Sequence, residues 1–238
     1  MIGHKDVPHL NPPVISLEAR EELFADMLPH ERQAREEGRP SLGSGAIYPI
    51  DETTLYITPI QIPDWWEYGW AMDPGWNVTA GILGARNPDT DQYYLVAEYY
   101  GQQNQPIVHA HGLKAMLPWP RLDGLIDPAG DNVGNQKDGA KMKEEYEDLG
   151  LRLSNANNAV HAGLRRCLVL MQGGQLKVFD TLVYFRTEFR LYRRDEKGKI
   201  VKKNDHLLDC MRYLLNTDGA FRARPMDRAR RQGRGEWG

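Results

Sequence analysis

Residues 67–100 read EYGWAMDPGWNVTAGILGARNPDTDQYYLVAEYY. Three apolar runs stand out in this stretch: EYGWAMD (67–73), VTAGILGA (78–85) and YYLVAEYY (93–100), parted by the turn Pro74-Gly75 and by the turn-rich RNPDTDQ. Short runs of this kind, bounded by Pro, Gly, Asn and Asp, predict strands joined by tight turns. Strand, turn, strand, turn, strand predicts an antiparallel meander. Its first strand ends in a carboxylate, Asp73. An acid at the end of a buried strand is costly unless a partner neutralises it.

Downstream of Pro106 the period changes. PIVHAHGLKAML predicts a helix, and GLIDPAG (124–130) a short buried strand that runs into a loop at Asp127. A helix over KDGAKMKEEYEDLGL, a strand over LRLSNA, a helix over AVHAGLRRCLVLMQGG stopped by its glycines, and a short strand over QLKVFD follow. TLVYFRTEFRLYR predicts an amphipathic helix with Leu182, Phe185, Phe189 and Tyr192 on one face. RRDEKGKIVKKND predicts a charged hairpin turning at Lys197-Gly198, and DHLLDCMRYLLN (205–216) a final helix with Asp205 as its N-cap. A meander followed by alternating β and α units predicts an α/β fold, one mixed sheet flanked by helices.

Upstream, IYPI and TLYITPI are short strand candidates, and residues 17–37 predict a helix capped by Ser16. Residues 1–15 are rich in Pro and His and read as a linker, and the Arg-rich stretch from Phe221 to Gly238 lacks apolar periodicity and predicts disorder. The expected organisation is a linker and helix over 1–45, a folded domain over 46–220 and a basic tail over 221–238.

The 238 residues are 41% apolar and 26% charged, enough for a sizeable core, and the net charge of -3 gives no global nucleic-acid signature. Any basic surface must be local. Cys167 and Cys210 sit in apolar helical patterns and predict buried thiols; no CxxC pair or disulfide framework is present. Neither a signal peptide nor a membrane span is expected.

Asp73, Asp127 and Asp209 are the candidate chemistry-bearing residues. The first two end apolar strands, and the third lies within an apolar helix, one turn after Asp205 and three residues after His206. Each alone is compatible with a turn or surface acid; the set is more telling. Hard oxygen ligands of this kind select Mg²⁺ or Mn²⁺ over Zn²⁺. His109 and His111 lack the further ligands of a zinc site, and GNQKDGAK (134–141) lacks the Lys-Ser/Thr ending of a phosphate loop, so no ATPase motif is found. Trp65, Trp66, Trp70 and Trp76 cluster around Asp73 in the sequence and read mostly as core.

GWAMDPGWNVTAGIL, GLIDPAGDN and NDHLLDCMRYLL resemble, in order and spacing, the three acidic motifs of the nuclease domain of tailed-bacteriophage terminase large subunits. ERQAREEGRPSLGSGAIYPID resembles the stretch that joins the family's ATPase domain to its nuclease domain. The resemblance implies a ribonuclease H-like fold and an endonuclease that cuts concatemeric double-stranded viral DNA during genome packaging. It implies two Mg²⁺ or Mn²⁺ ions held by Asp73, Asp127 and Asp209, with Asp205 and His206 close by. Many members carry a further Asp after the first motif; here Gly75-Trp76-Asn77-Val78-Thr79-Ala80 has no acid. The implied partners are DNA, an ATPase domain of the same polypeptide, the small terminase subunit and the portal protein, in the host cytoplasm. Other readings are a different ribonuclease H-like nuclease, such as a junction resolvase, or a non-catalytic DNA-binding or portal-docking module.

Arg194, Lys197, Lys199, Lys202 and Lys203 in the charged hairpin, with Lys141 in the helix after Asp127, are the expected DNA contacts, against the plainer reading of a solvated charged surface.

Overall fold

The structure, a computed structural model, describes residues 45–128 and 136–225, with side chains in the second segment from residue 142 onward. The chain order is α1 (Glu52–Leu55), β1 (Tyr56–Ile57), β2 (Glu67–Asp73), β3 (Thr79–Asn87), β4 (Gln92–Gly101), α2 (Pro106–Met116), β5 (Gly124–Ile126), α3 (Gln136–Asp148), β6 (Leu153–Asn155), α4 (Val160–Gln172), β7 (Leu176–Phe179), α5 (Val183–Leu191), α6 (His206–Asn216) and β8 (Arg222–Ala223). The strands form one mixed sheet in the order β1-β7-β4-β3-β2-β5-β6, and β8 pairs with the start of β2. β2, β3 and β4 are the antiparallel meander, and β5 and β6 add in parallel beyond β2. This is the α/β architecture expected from the sequence.

β2 is central, so its middle residues, from Gly69 to Met72, are buried on both faces. Successive side chains alternate across a sheet. Trp70 and Met72 join the cluster under α2 and α3, while Ala71 joins the larger cluster under α4, α5 and α6. Burying each large apolar side chain contributes about 1.5–3 kcal/mol. Trp70 also donates its indole N–H to the Leu122 carbonyl at 2.9 Å.

The cross-strand partners Gly69 and Gly84 open a seat for α6. A Cβ on Gly84 would stand 2.8 Å from a Leu214 methyl, and one on Gly69 would stand 2.9 Å from the other Leu214 methyl and 2.5 Å from the Ala220 carbonyl oxygen. With hydrogen at both positions, α6 lies directly on the sheet.

Some sequence expectations are corrected. IYPI is not a strand: Tyr48 and Ile50 are buried in a bend, where Tyr48 packs on Phe189 and Tyr192. Burial against α5, not strand pairing, explains its apolar content. In TLYITPI, Thr54 and Leu55 belong to α1, because Asp51 caps that helix by accepting from the Thr53 amide at 2.9 Å. Only Tyr56 and Ile57 remain as strand, paired with β7. Structure also extends past 220, since Arg222 and Ala223 pair with Tyr68 and Glu67 while Phe221 packs on Tyr93. The expected helix over 17–37, its cap Ser16, and residues 226–238 lie outside the described residues. Among the described residues, no helix is long and apolar enough to cross a membrane. Cys167 and Cys210 are buried free thiols.

Candidate active site

The sheet brings two of the three aspartates together by register alone. Met72 of β2 lies beside Ile126 of β5 in a parallel pair, so the next residues, Asp73 and Asp127, leave adjacent strand ends. Neighbouring strands are roughly 4.8 Å apart. Because Ala71 and Leu125 face the α6 side of the sheet, the period of two turns Asp73 and Asp127 toward α6 as well.

Helix α6 supplies the third. Its Cys210 thiol reaches the carbonyl of Ala80, the residue paired with Asp73, at 3.7 Å. His206 and Asp209, three apart on the first turn, therefore overhang the strand ends. His206 Nδ1 donates to Asp73 Oδ2 at 2.8 Å. Asp209 Oδ1 accepts from Arg212 Nε at 3.1 Å and Nη2 at 2.9 Å, and its Oδ2 accepts from Lys202 Nζ at 3.1 Å. Arg212, only 1% exposed, also donates to Asn158 Oδ1 at 3.0 Å, and Asn158 donates onward to Asp127 Oδ1 at 3.2 Å. One connected network thus spans Asp127, Asn158, Arg212, Asp209 and Lys202.

The electrostatics follow from crowding acids at a half-buried spot. Burial pushes the Asp73 carboxyl up; the bond from His206 opposes this, and the charges of Asp209 and Asp127 add to it. His206 is raised by its bond to Asp73, which outweighs burial. These directions agree physically: the pair resists losing its protons to water. Burial and the neighbouring Asp209 raise Asp205, with Lys202 opposing. For Lys202 burial pulls down, but Asp209 and Asp205 outweigh it and hold the ammonium charged.

Asp205 is at the N-cap position of α6 as expected, but its side chain does not cap the helix. Its Oδ2 lies 3.4 Å from Lys202 Nζ and makes no hydrogen bond among the described residues. Attraction to the Lys202 ammonium wins over the local backbone. Among the hairpin residues, Lys197, Lys199, Lys202 and Lys203 are exposed. Arg194 donates to the Gly198 carbonyl at 2.9 Å and so helps close the turn. An antiparallel bridge from Arg194 to Ile200 and a positive φ at Gly198 make this the expected hairpin. The side chain of Lys141 lies outside the described residues. Of the tryptophans near Asp73, Trp66 and Trp70 are core, but Trp65 and Trp76 are exposed, Trp76 by 75%.

Lys202 entered the sequence reading only as a DNA contact, and Asn158 and Arg212 did not enter it. Arg212 left a readable signal: a charge three residues after Asp209 in an apolar helix, the spacing of an ion pair.

Among the described residues, no group of three His, Cys, Asp or Glu side chains is gathered tightly enough to hold a metal ion as it stands. Asp73 is engaged by His206, and Asp209 by Lys202 and Arg212. The donor chemistry suits a hard divalent cation, since carboxylate oxygens are the ligands such ions take, and Asp209 meets the charges of Lys202 and Arg212. Lys202 pairs with Asp209 while 59% of its side chain is exposed.

A five-strand core with a leading meander, two parallel additions and acids at the strand ends defines a ribonuclease H-like domain. Residues 70–217 match the family model described as the terminase RNase H-like domain. Over 204 residues, 82% of the chain, it is 36% identical to the terminase large subunits of Enterobacteria phage LP7 and Salmonella phage P22. The structure of the P22 large terminase nuclease domain matches with a TM-score of 0.70 and 32% identity, covering 77% of this chain and 97% of that one. The chain belongs to the terminase RNase H-like domain family. It spans less than half the length of the large subunits it matches, 42% and 40% of them.

Proposed function

We propose that this domain is a metal-dependent endonuclease that cuts double-stranded viral DNA during genome packaging, with Asp73, Asp127 and Asp209 as the ligands of two Mg²⁺ or Mn²⁺ ions. The observation that carries this reading is that Asp73 and Asp127 leave adjacent strand ends and that Asp209 stands on the first turn of α6, the helix packed on that part of the sheet. The likeness to a nuclease domain over nearly its whole length supports it.

When bound, divalent cations activate water and neutralise charge at a phosphodiester. The chain's own residues do the rest. Asp73 sits on a central strand and offers a rigid carboxylate. His206 orients it by holding Oδ2. Asn158 and Arg212 fix Asp127 and Asp209 relative to each other. Lys202 stands at the site, and Lys197, Lys199 and Lys203 with Arg194 extend cationic surface from it along which a phosphate backbone can run. Lys141 would add to that path. The ATPase domain, small terminase subunit and portal are the expected partners, on the procapsid in the host cytoplasm.

The deciding experiment is cleavage of supercoiled and linear duplex DNA with Mg²⁺ or Mn²⁺ against a chelator control. Metal-dependent nicking of both substrates is expected. Absence of cleavage with DNA binding intact would favour a docking module, and cleavage confined to branched DNA would favour a junction resolvase.

A further inference from the structure

We infer that Glu98 and Glu188 are positioning residues: two carboxylates in series, the first half-buried and the second buried, that fix the first turn of α6, and with it His206 and Asp209, to the central sheet. The proposal rests on the site reading above, since it concerns what holds that site's helix in place.

The first amides of a helix have no partner within it and must find one elsewhere. In α6 the residue at the cap position, Asp205, does not serve them. Glu188 does so from another helix: its Oε2 accepts the Leu207 amide at 2.7 Å. Glu188 is 2% exposed, and its second oxygen has no hydrogen bond among the described residues. A carboxylate buried this deeply and bonded on one side needs compensation, and the positive end of a helix provides it.

The same device recurs one step back. Glu188 lies on α5, whose cap residue Leu182 has no side chain able to accept. Glu98 on β4 takes that place, accepting the Tyr184 amide through Oε1 at 2.9 Å and the Phe185 amide through Oε2 at 2.8 Å. Each bond crosses between elements far apart in sequence, 87 residues for Glu98 to Phe185 and 19 for Glu188 to Leu207. β4 therefore grips α5 by its start, and α5 grips α6 by its start. What α6 carries on that gripped turn is His206, 2.8 Å from Asp73, and Asp209. Apolar packing seats α6 on the sheet but leaves it able to slide and rotate, whereas directional bonds at its first turn fix both. Neither glutamate hydrogen-bonds a carboxylate of the site; the charge of Glu188 also reaches His206 and Asp205, whereas Glu98 bears on the site through helix position.

The test compares Glu188→Ala, Glu188→Gln and Glu98→Ala with the wild-type domain, by amide hydrogen exchange of the metal-free protein and by calorimetric titration with Mn²⁺. Glutamine keeps an oxygen for the Leu207 amide and should rescue. Expected for Glu188→Ala are faster exchange at Leu207 and Leu208, unchanged protection in β2 and β3, and Mn²⁺ affinity weakened on the order of tenfold, as for other outer residues that orient ligands. Glu98→Ala should expose Tyr184 and Phe185 and weaken Mn²⁺ as well, although it bonds no residue of the site. Equal Mn²⁺ affinity in wild type and both alanine variants overturns the proposal, as does a loss in Glu188→Ala that Gln does not restore. Should Glu188→Ala fail to fold, Glu98→Ala and Glu188→Gln decide it by the same readouts. A wild-type domain that binds no Mn²⁺ defeats the metal-site reading instead; the exchange of α6 amides in Glu98→Ala then decides the relay, which fails if they are unaffected.

Discussion

Asp73 and His206, 133 residues apart in sequence, meet at 2.8 Å between the end of a central strand and the first turn of a helix. The bond ties the rigid part of the site to the part that reaches it through tertiary packing. The bond from His206 opposes the burial of Asp73 but does not fully offset it. Asp73→Asn should therefore lower DNA nicking on the order of 10³-fold or more while raising the Tm of the metal-free domain. A thermal melt in chelator beside a plasmid assay checks both; a lowered Tm would mean that the bond to His206 outweighs desolvation.

Lys202 holds Asp209 Oδ2, the oxygen that a metal ligated as proposed would need. Lys202→Met should lower the Tm in chelator, because Asp205 and Asp209 lose their shared counter-charge, and should enlarge the stabilisation produced by added Mn²⁺. The measurement is the Tm difference with and without Mn²⁺ in both proteins. Equal differences would show that the ammonium and the metal do not share the carboxylate.

Arg212 is a buried cation whose charge is met by Asp209 and whose remaining donor meets Asn158. Removing one partner of a buried pair typically costs about 3–5 kcal/mol. Arg212→Met should cost about that much in urea unfolding. Asn158→Ala should cost far less in stability yet weaken Mn²⁺ affinity about tenfold, since it removes the bond that Asn158 donates to Asp127.

Glu188 is pushed up to about 7, from 4.5, by burial. A raised folded value means that the folded state holds its proton longer than the unfolded chain. The stabilisation is complete below 4.5 and is lost as pH rises through about 7, on the order of 3 kcal/mol over that window. His206, also raised, acts in the same direction at and above its ordinary range. The metal-free domain should melt at a higher temperature at pH 5 than at pH 8, and Glu188→Gln should shrink that difference. An identical pH dependence in the variant would remove Glu188 from the titration.

Gly84 faces Leu214 so closely that a methyl group would displace it. Gly84→Val should lift α6 from the sheet, lowering both stability and nicking, whereas Thr90→Val, in an exposed turn far from that contact, should change neither.

The meander was legible because its strands are short, apolar and punctuated by Pro, Gly and Asn, and Asp73 and Asp127 were legible because strand ends are where such runs stop. Asp209 was found through motif resemblance and its odd place in an apolar helix. IYPI misled because burial against Phe189 and Tyr192 leaves the same apolar signature as a strand. Asp205 misled because local capping chemistry lost to a lysine and a crowd of acids. Glu98, Glu188 and Asn158 were invisible for one reason: each acts on a partner 19 or more residues away, and a polar side chain carries no sequence mark of a distant bond.

Lys202 and Arg212 give the acidic centre a counter-ion balance of its own. Unlike small domains whose chains stay unfolded until zinc arrives, a domain with such pairs at Asp209 should need no magnesium to complete its fold. On the proposed reading, metal supply would then govern only whether the finished domain cuts, and newly made copies would accumulate intact and silent before any ion is loaded.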